Sequence, residues 1–325
     1  MGTDVRGIIY RQWRIKVSKV SRFGPVWKVK SKHGYFCFKR WKRRISHLLF
    51  AHHVIEELWQ RGYSGTPRFI PTVQGKPYIE EEGDIYVLTR WMGRPLKERS
   101  KREWVGAAKE LAHFHNASEN MILPPGIDGS YFSGRWLDRF PMRIEETRTL
   151  FAQFEHPQNV FEEEVLINAS VVLGVAESAY ERLLRSRYRC LSDNLYLCPR
   201  LCHGNIKGKN FTITEEGNVC IIDPDSFRFD LPVQDLASFF TSALSSMERS
   251  LSLANILFNS YDAIRQVEED EMPILKALLM FPYDLCKLLQ KYQEGGKSPE
   301  AYLKKWNKEL IRFSRHQYFL EQWLD

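Results

Sequence analysis

Apolar positions change their period along the chain. Between residues 14 and 41 they alternate with polar ones: Ile15, Val17 and Val20, then Val26 and Val29, then the aromatic run Tyr35-Phe-Cys-Phe-Lys39. A period of two predicts strands, and Lys32-His-Gly34 predicts the turn between the last two. Over 46–61 the spacing lengthens to that of a helix, with Ile45, Leu48, Leu49, Ile55, Leu58 and Trp59 recurring on one side. Ser46 is its expected N-cap and Gly62 its stop. Residues 67–72 read as a connector, and 78–79 and 84–89 as two more strands around Gly83. Trp91-Met-Gly93-Arg-Pro95 then breaks the pattern. Beyond it helical spacing covers 101–116, 161–186, 234–246, 251–267, 272–292 and 299–324. The exception is 200–225, where two short apolar runs, 211–213 and 219–222, flank Glu216-Gly217 as in a hairpin.

This order predicts an α+β protein of two lobes, a small β-rich lobe over 1–92 and a larger, mostly helical lobe over 93–325. With 325 residues, 43% hydrophobic and 27% charged, the chain has the composition of a globular protein with a large core. The longest apolar stretches fall short of the roughly 20 residues of a membrane span, and charges at Asp4, Arg6, Arg11 and Arg14 interrupt any signal-peptide core. Synthesis in the cytoplasm, away from membranes, is expected. Six cysteines are scattered without a C-x-x-C pair, so reduced thiols are expected. Cys198, Cys202 and His203 match no standard zinc spacing.

Charge is distributed unevenly. Residues 5–55 hold 14 cations and no Asp or Glu; the remaining 33 cations face 40 anions, so the rest of the chain is acidic by 7. A basic lobe attracts polyanions such as nucleotide phosphates. Nucleic acid is a poor fit: Trp13, Trp27 and Trp41 interleave with the cations, but no recognised binding motif accompanies them. Outward-pointing Lys and Arg on strand faces account for most of these residues.

The chemistry concentrates in Leu201-Cys-His203-Gly-Asn205-Ile-Lys207-Gly-Lys-Asn210 and in Val219-Cys-Ile-Ile-Asp223-Pro-Asp225. Asn210 and Asp223 offer oxygen ligands from two adjacent segments, as Mg²⁺ requires, and Lys39 is placed to reach phosphates from the third strand. An ionised Asp223 ending an apolar strand is costly unless a metal or a cation such as Lys207 meets it. Asp225 suits either a second metal ligand or a helix cap.

The first segment resembles the kinase catalytic loop H-x-D-x-x-x-x-N, and Ile222-Asp223 resembles the start of the metal-binding D-F-G segment. With Phe36-Cys-Phe-Lys39, Arg61-Gly-Tyr63, Tyr86-Val-Leu-Thr-Arg-Trp91, Leu111-Ala-His-Phe-His115, Gly134-Arg-Trp136, Asp235-Leu and Phe281-Pro282, the chain is similar to the aminoglycoside and choline phosphotransferase superfamily. Within it, the chain resembles the bacterial spore-coat CotS family of kinase-like proteins. The resemblance runs over 14–324. It implies a protein-kinase-like fold, ATP and Mg²⁺ as cofactors, a spore-coat location and other coat proteins as partners. It further implies a nucleotide site of Lys39, Gly24, Glu56 and Trp91, a metal site of Asn210 and Asp223, and a catalytic loop carrying His203, Asn205 and Lys207. Asp235 resembles the family's Asp-Leu anchor and reads as architectural, and His203 as a pin for the loop backbone.

Departures from the pattern bear on activity. Asn205 stands where the family has the catalytic Asp, and a carboxamide does not accept a proton, a function worth about 10²–10⁴ in rate. Positioning and electrostatics, which dominate phosphoryl transfer, survive the change. The turn Arg22-Phe-Gly24-Pro25 has one glycine, so backbone wrapping of phosphates is reduced. The helix carboxylate that pairs with the strand lysine would fall near His52; Glu56, one turn on, is expected to substitute. Three readings follow: a coat-type kinase-fold protein with impaired or lost phosphotransfer; a working ATP-dependent phosphotransferase on a small hydroxyl or amine compound; and a basic polyanion-binding module. The aromatic and acidic residues Tyr131, Trp136, Asp138, Glu145 and Glu146 either face a cationic substrate or form a solvated helix face.

Overall fold

The computed structural model describes residues 4–247 and 250–324. It opens with a helix, α1 (Val5–Trp13), that the alternating pattern does not announce. Asp4 caps it by accepting from the Gly7 N–H. Strands β1 (Val17–Phe23), β2 (Val26–Ser31) and β3 (Gly34–Trp41) follow, then α2 (Ile45–Gln60), β4 (Ile79–Glu81) and β5 (Asp84–Arg90). The five strands form one antiparallel sheet in the order β1-β2-β3-β5-β4. Alternation gives each strand two faces. Phe36 and Phe38 of β3 point outward with Val29, Tyr86 and Leu88, and α1 seals them with Val5, Ile8, Ile9 and Trp13. Tyr35, Cys37 and Lys39 take the alternate positions of β3 and point the other way.

A short strand β6 (Arg94–Pro95) leads into the helical part: α3 (Lys101–Ala117), α4 (Arg135–Gln153), α5 (Val160–Arg185) and α6 (Tyr188–Asp193). Two small sheets are embedded in it. Strand β7 (Leu201–Cys202) pairs with β10 (Arg228–Phe229), while β8 (Phe211–Ile213) pairs with β9 (Val219–Ile221) and with β6. The chain ends in α7 (Pro232–Ser246), α8 (Leu251–Asp262), α9 (Met272–Met280), α10 (Tyr283–Gln293) and α11 (Pro299–Leu324). The fold is thus α+β, with an antiparallel sheet at the N-terminal side and a mostly helical C-terminal part.

Several expectations need correction. Helix α2 starts at Ile45 with Arg44 at its N-cap and no side-chain cap, so Ser46 lies inside it. The span 272–292 is two helices, because Phe281 adopts an extended conformation before Pro282. Helix α8 ends at Asp262. Helix α4 was hidden by Pro141, which it accommodates internally. No helix among the described residues is long and apolar enough to cross a membrane.

The sheet and the helices share a core through α2. Its Leu48, Phe50, Ala51, Val54, Ile55 and Leu58 are fully buried in the same cluster as Trp104 and Leu111 of α3 and Phe239 of α7. Phe50 meets Phe229 of β10 edge-on at 5.4 Å.

Candidate functional site

The hairpin β8–β9 delivers two side chains to one place. Asn210 precedes β8, and the Ile222 N–H donates to its carbonyl at 2.8 Å, so the two strand ends are pinned together. Asp223 then turns the chain with φ +75°, a left-handed conformation that Asp tolerates better than most residues. The turn brings the Asp223 carboxylate to 3.3 Å from the Asn210 side-chain nitrogen. Asn210 is 1% exposed, and its Oδ1 has no hydrogen-bond partner among the described residues. A buried amide oxygen and a carboxylate side by side are the donor set a hard divalent cation takes, so these residues fit Mg²⁺.

Lys39 reaches the same point from β3. Its Nζ contacts Asp223 and lies 2.7 Å from Asp225 Oδ1. Burial alone would favour the neutral amine, but Asp225 and Asp223 outweigh it and hold the ammonium above its ordinary value. Burial likewise pushes both carboxyls up. For Asp223 the Lys39 charge wins and its pKa falls; for Asp225 burial and the neighbouring Asp223 charge win and its pKa rises. The cation that meets Asp223 is therefore Lys39, not Lys207, and Asp225 is the second arm of that pair rather than a cap.

Glu56 does not substitute for the missing helix carboxylate. It pairs with Arg68, whose Nε donates at 2.9 Å, and His52 Nδ1 lies 3.9 Å from it. What α2 presents toward Asp225 is His47, whose Nε2 sits 2.9 Å from the Phe227 carbonyl. Gly24 lies at the exposed tip of the β1–β2 turn, with φ +56°. The preceding Phe23 packs edge-on against Trp91 at 5.2 Å, and the Lys28 ammonium lies 4.6 Å from the Trp91 ring. Trp91 therefore joins the turn to the segment between the two parts of the molecule.

The loop 203–210 is held from behind. Asp235 Oδ2 accepts the His203 N–H at 2.5 Å, and Oδ1 accepts the Gly204 N–H at 2.9 Å. Burial would raise this carboxyl, but His115, His203 and Arg228 outweigh it and hold it low. His203 uses both ring nitrogens on backbone: Nε2 lies 2.9 Å from the Ile222 carbonyl, and Nδ1 accepts the Asn205 N–H at 3.3 Å. The imidazole pins the loop at Asn205 to the strand end just before Asp223. Asn205 is half-buried and lines a cleft of about 630 Å³, and its carboxamide makes no hydrogen bond to a described residue. Lys207, exposed, lines the same cleft.

Sequence reasoning missed Arg228. Its Nη1 donates to the Gly204 carbonyl at 2.8 Å and its Nε to Asp230 at 3.0 Å, so it fixes the loop one residue before Asn205. The signal was present: Arg228 and Asp230 stand two apart, either side of Phe229 at the end of β10, a spacing that lets an opposite-charge pair meet in extended backbone.

The sequence profile of the family described as "Spore coat putative kinase YutH" matches residues 6–324. Among solved structures, an aminoglycoside phosphotransferase from Alicyclobacillus acidocaldarius superposes with a TM-score of 0.85 at 17% identity, covering 99% of this chain and 96% of that one. An amicoumacin kinase, solved in complex with AMP-PNP, Ca²⁺ and Ami, superposes at 0.65 with 13% identity, covering 98% and 93%. Choline kinase LicA from Streptococcus pneumoniae superposes at 0.53 with 14% identity, covering 98% of each chain. At these identities the likeness is one of fold.

Proposed function

The chain belongs to this spore-coat kinase family, and from that membership we propose that it is a nucleotide-binding kinase-fold protein of the coat whose phosphotransfer is weak. One observation carries the reading. Lys39, Asn210 and Asp223, from three separate segments, converge on one point, where Asn210 Oδ1 has no partner among the described residues. In this reading Lys39 contacts the nucleotide phosphates, and Asn210 and Asp223 hold Mg²⁺, which when bound would neutralise phosphate charge. The amicoumacin kinase, a structural neighbour that holds a nucleotide analogue together with a divalent ion, supports it.

The weakness follows from Asn205. Its amide is placed to hydrogen-bond a hydroxyl but takes no proton from it. Two measurements test this. MgATP at about 100 times its Kd should stabilise the fold by about 2.7 kcal/mol, read as a thermal shift that disappears in Asp223→Asn. Phosphate release from ATP should rise by about 10²–10⁴ in Asn205→Asp. An unchanged rate in that variant, or an ordinary kinase rate in the native chain, would favour an active phosphotransferase instead.

A further inference from the structure

The cleft beside Asn205 is basic. Arg139 of α4, Lys207 of the loop, Arg228 of β10 and Lys287 of α10 line it, against Asp284 and the Arg312-paired Glu309. Arg228 spends its charge on buried Asp230. Arg139, Lys207 and Lys287 have no carboxylate within 4.0 Å among the described residues. Asp138, Glu145 and Glu146, the acidic residues of α4 that would suit a cationic substrate, do not line it. Asp138 is exposed, and the two glutamates pair with Arg148 and Arg143.

The cations are also crowded. The guanidinium carbons of Arg135, Arg228 and Arg139 lie 4.1, 4.4 and 5.6 Å from the centroid of one ring, Phe132. Like charges gathered on one ring repel unless an anion joins them. Burial first, and then the Arg228 charge, push the Arg139 pKa below its ordinary value. Hydroxyls of α7 line the same cleft, Ser238, Thr241, Ser242 and Ser245 at helical spacing; Thr241 donates to the Ala237 carbonyl and Ser242 accepts the Gly208 N–H. Nearby, the Gln234 side-chain oxygen is buried without a partner among the described residues. Cations and hydroxyls lining one cleft suit a ligand that is both anionic and rich in hydroxyls.

We propose that this cleft binds a small polyhydroxy compound that already carries a phosphate or a carboxylate, with Arg139 as the residue that selects the negative charge. The inference rests on the reading of the cleft as the acceptor side of the kinase-like site. Calorimetric titration of the full chain with glucose 6-phosphate, glucuronate, glucose and glucosamine tests it, since the four share one ring and differ in charge. Glucose 6-phosphate or glucuronate should bind at least tenfold more tightly than glucose, and glucosamine most weakly; whichever anion leads tells phosphate from carboxylate. Arg139→Gln should lower the affinity for that anion about tenfold, Arg139→Lys should restore most of it, and the exposed Lys287→Gln should weaken it about threefold. MgATP binding should stay unchanged in all three variants. Preference for glucosamine, binding by none of the four, or indifference to all three variants overturns the proposal. Anion preference in a chain that does not bind MgATP would leave this proposal standing and remove the nucleotide reading instead.

Discussion

At the scale of single residues, the buried polar groups behind the loop do more than the loop itself. His115 is enclosed: Nδ1 lies 2.7 Å from the Tyr261 hydroxyl and Nε2 3.4 Å from Asp235, with Arg265 and Glu271 beyond. Burial holds its pKa below the ordinary value. In the unfolded chain the imidazole takes up a proton near pH 6.5, while in the folded one it resists until lower pH. Acid therefore favours unfolding: this contribution is complete above about pH 6.5 and shrinks as pH falls. Urea unfolding at pH 7.5 and 5.5 should show lower stability at 5.5, and His115→Gln should reduce the difference. A variant as steep as the native chain would contradict the assignment. Part of the candidate site's geometry was legible, because groups read at the ends of strands are brought together when those strands pack: Asn210, Asp223 and Lys39 lie side by side. Glu56 does not join them, because which turn of a helix faces a strand lysine depends on the angle between helix and sheet, and no spacing along the chain contains it.

At the scale of elements, the sheets were more legible than the helices that cover them. Strands β2, β3 and β5 announced themselves through alternation and turn residues. Helix α1 carries an apolar stripe, Val5, Ile8, Ile9 and Trp13, with Arg6 and Arg11 exposed off it, but at nine residues it is too short to stand alone and depends on its packing against Phe36 and Phe38. Connections between elements are held by close approach. Gly93, just before β6, has φ +76°, and a Cβ there would lie 2.1 Å from the Ile213 carbonyl oxygen of β8. Neither the strain nor the clash can be relieved by turning a side chain. Gly93→Ala should therefore cost about 2 kcal/mol or more and lower the melting temperature by several degrees. An unchanged melting temperature would show that β6 slides freely along β8.

At the scale of the whole molecule, the two parts are less separable than their sequence patterns suggest. Helix α2 follows β3 in the chain, yet its apolar face is buried with α3 and α7, so unfolding the sheet side exposes the core of the helical side. Calorimetry should therefore show one cooperative transition, and Phe50→Ala should move that transition as a unit by about 3–5 kcal/mol. Two resolved transitions, with only one displaced by the variant, would mean that the lobes melt independently. The basic lobe belongs in the same view. Several of its cations lie over its own aromatic rings: Arg22 on Trp27 at 4.2 Å, Lys28 on Tyr35 at 4.6 Å and Arg90 on Phe36 at 4.7 Å. Such contacts give the Lys and Arg excess a local role in packing, and they argue against reading the lobe mainly as a polyanion-binding surface.

The edge-on contact of Phe23 with Trp91 makes the molecule its own indicator. Any planar ring that enters between the β1–β2 turn and the connecting segment must part those two side chains and change the surroundings of one indole. Among the chain's nine tryptophans, the emission change that is lost in Trp91→Phe then signals occupancy without a dye.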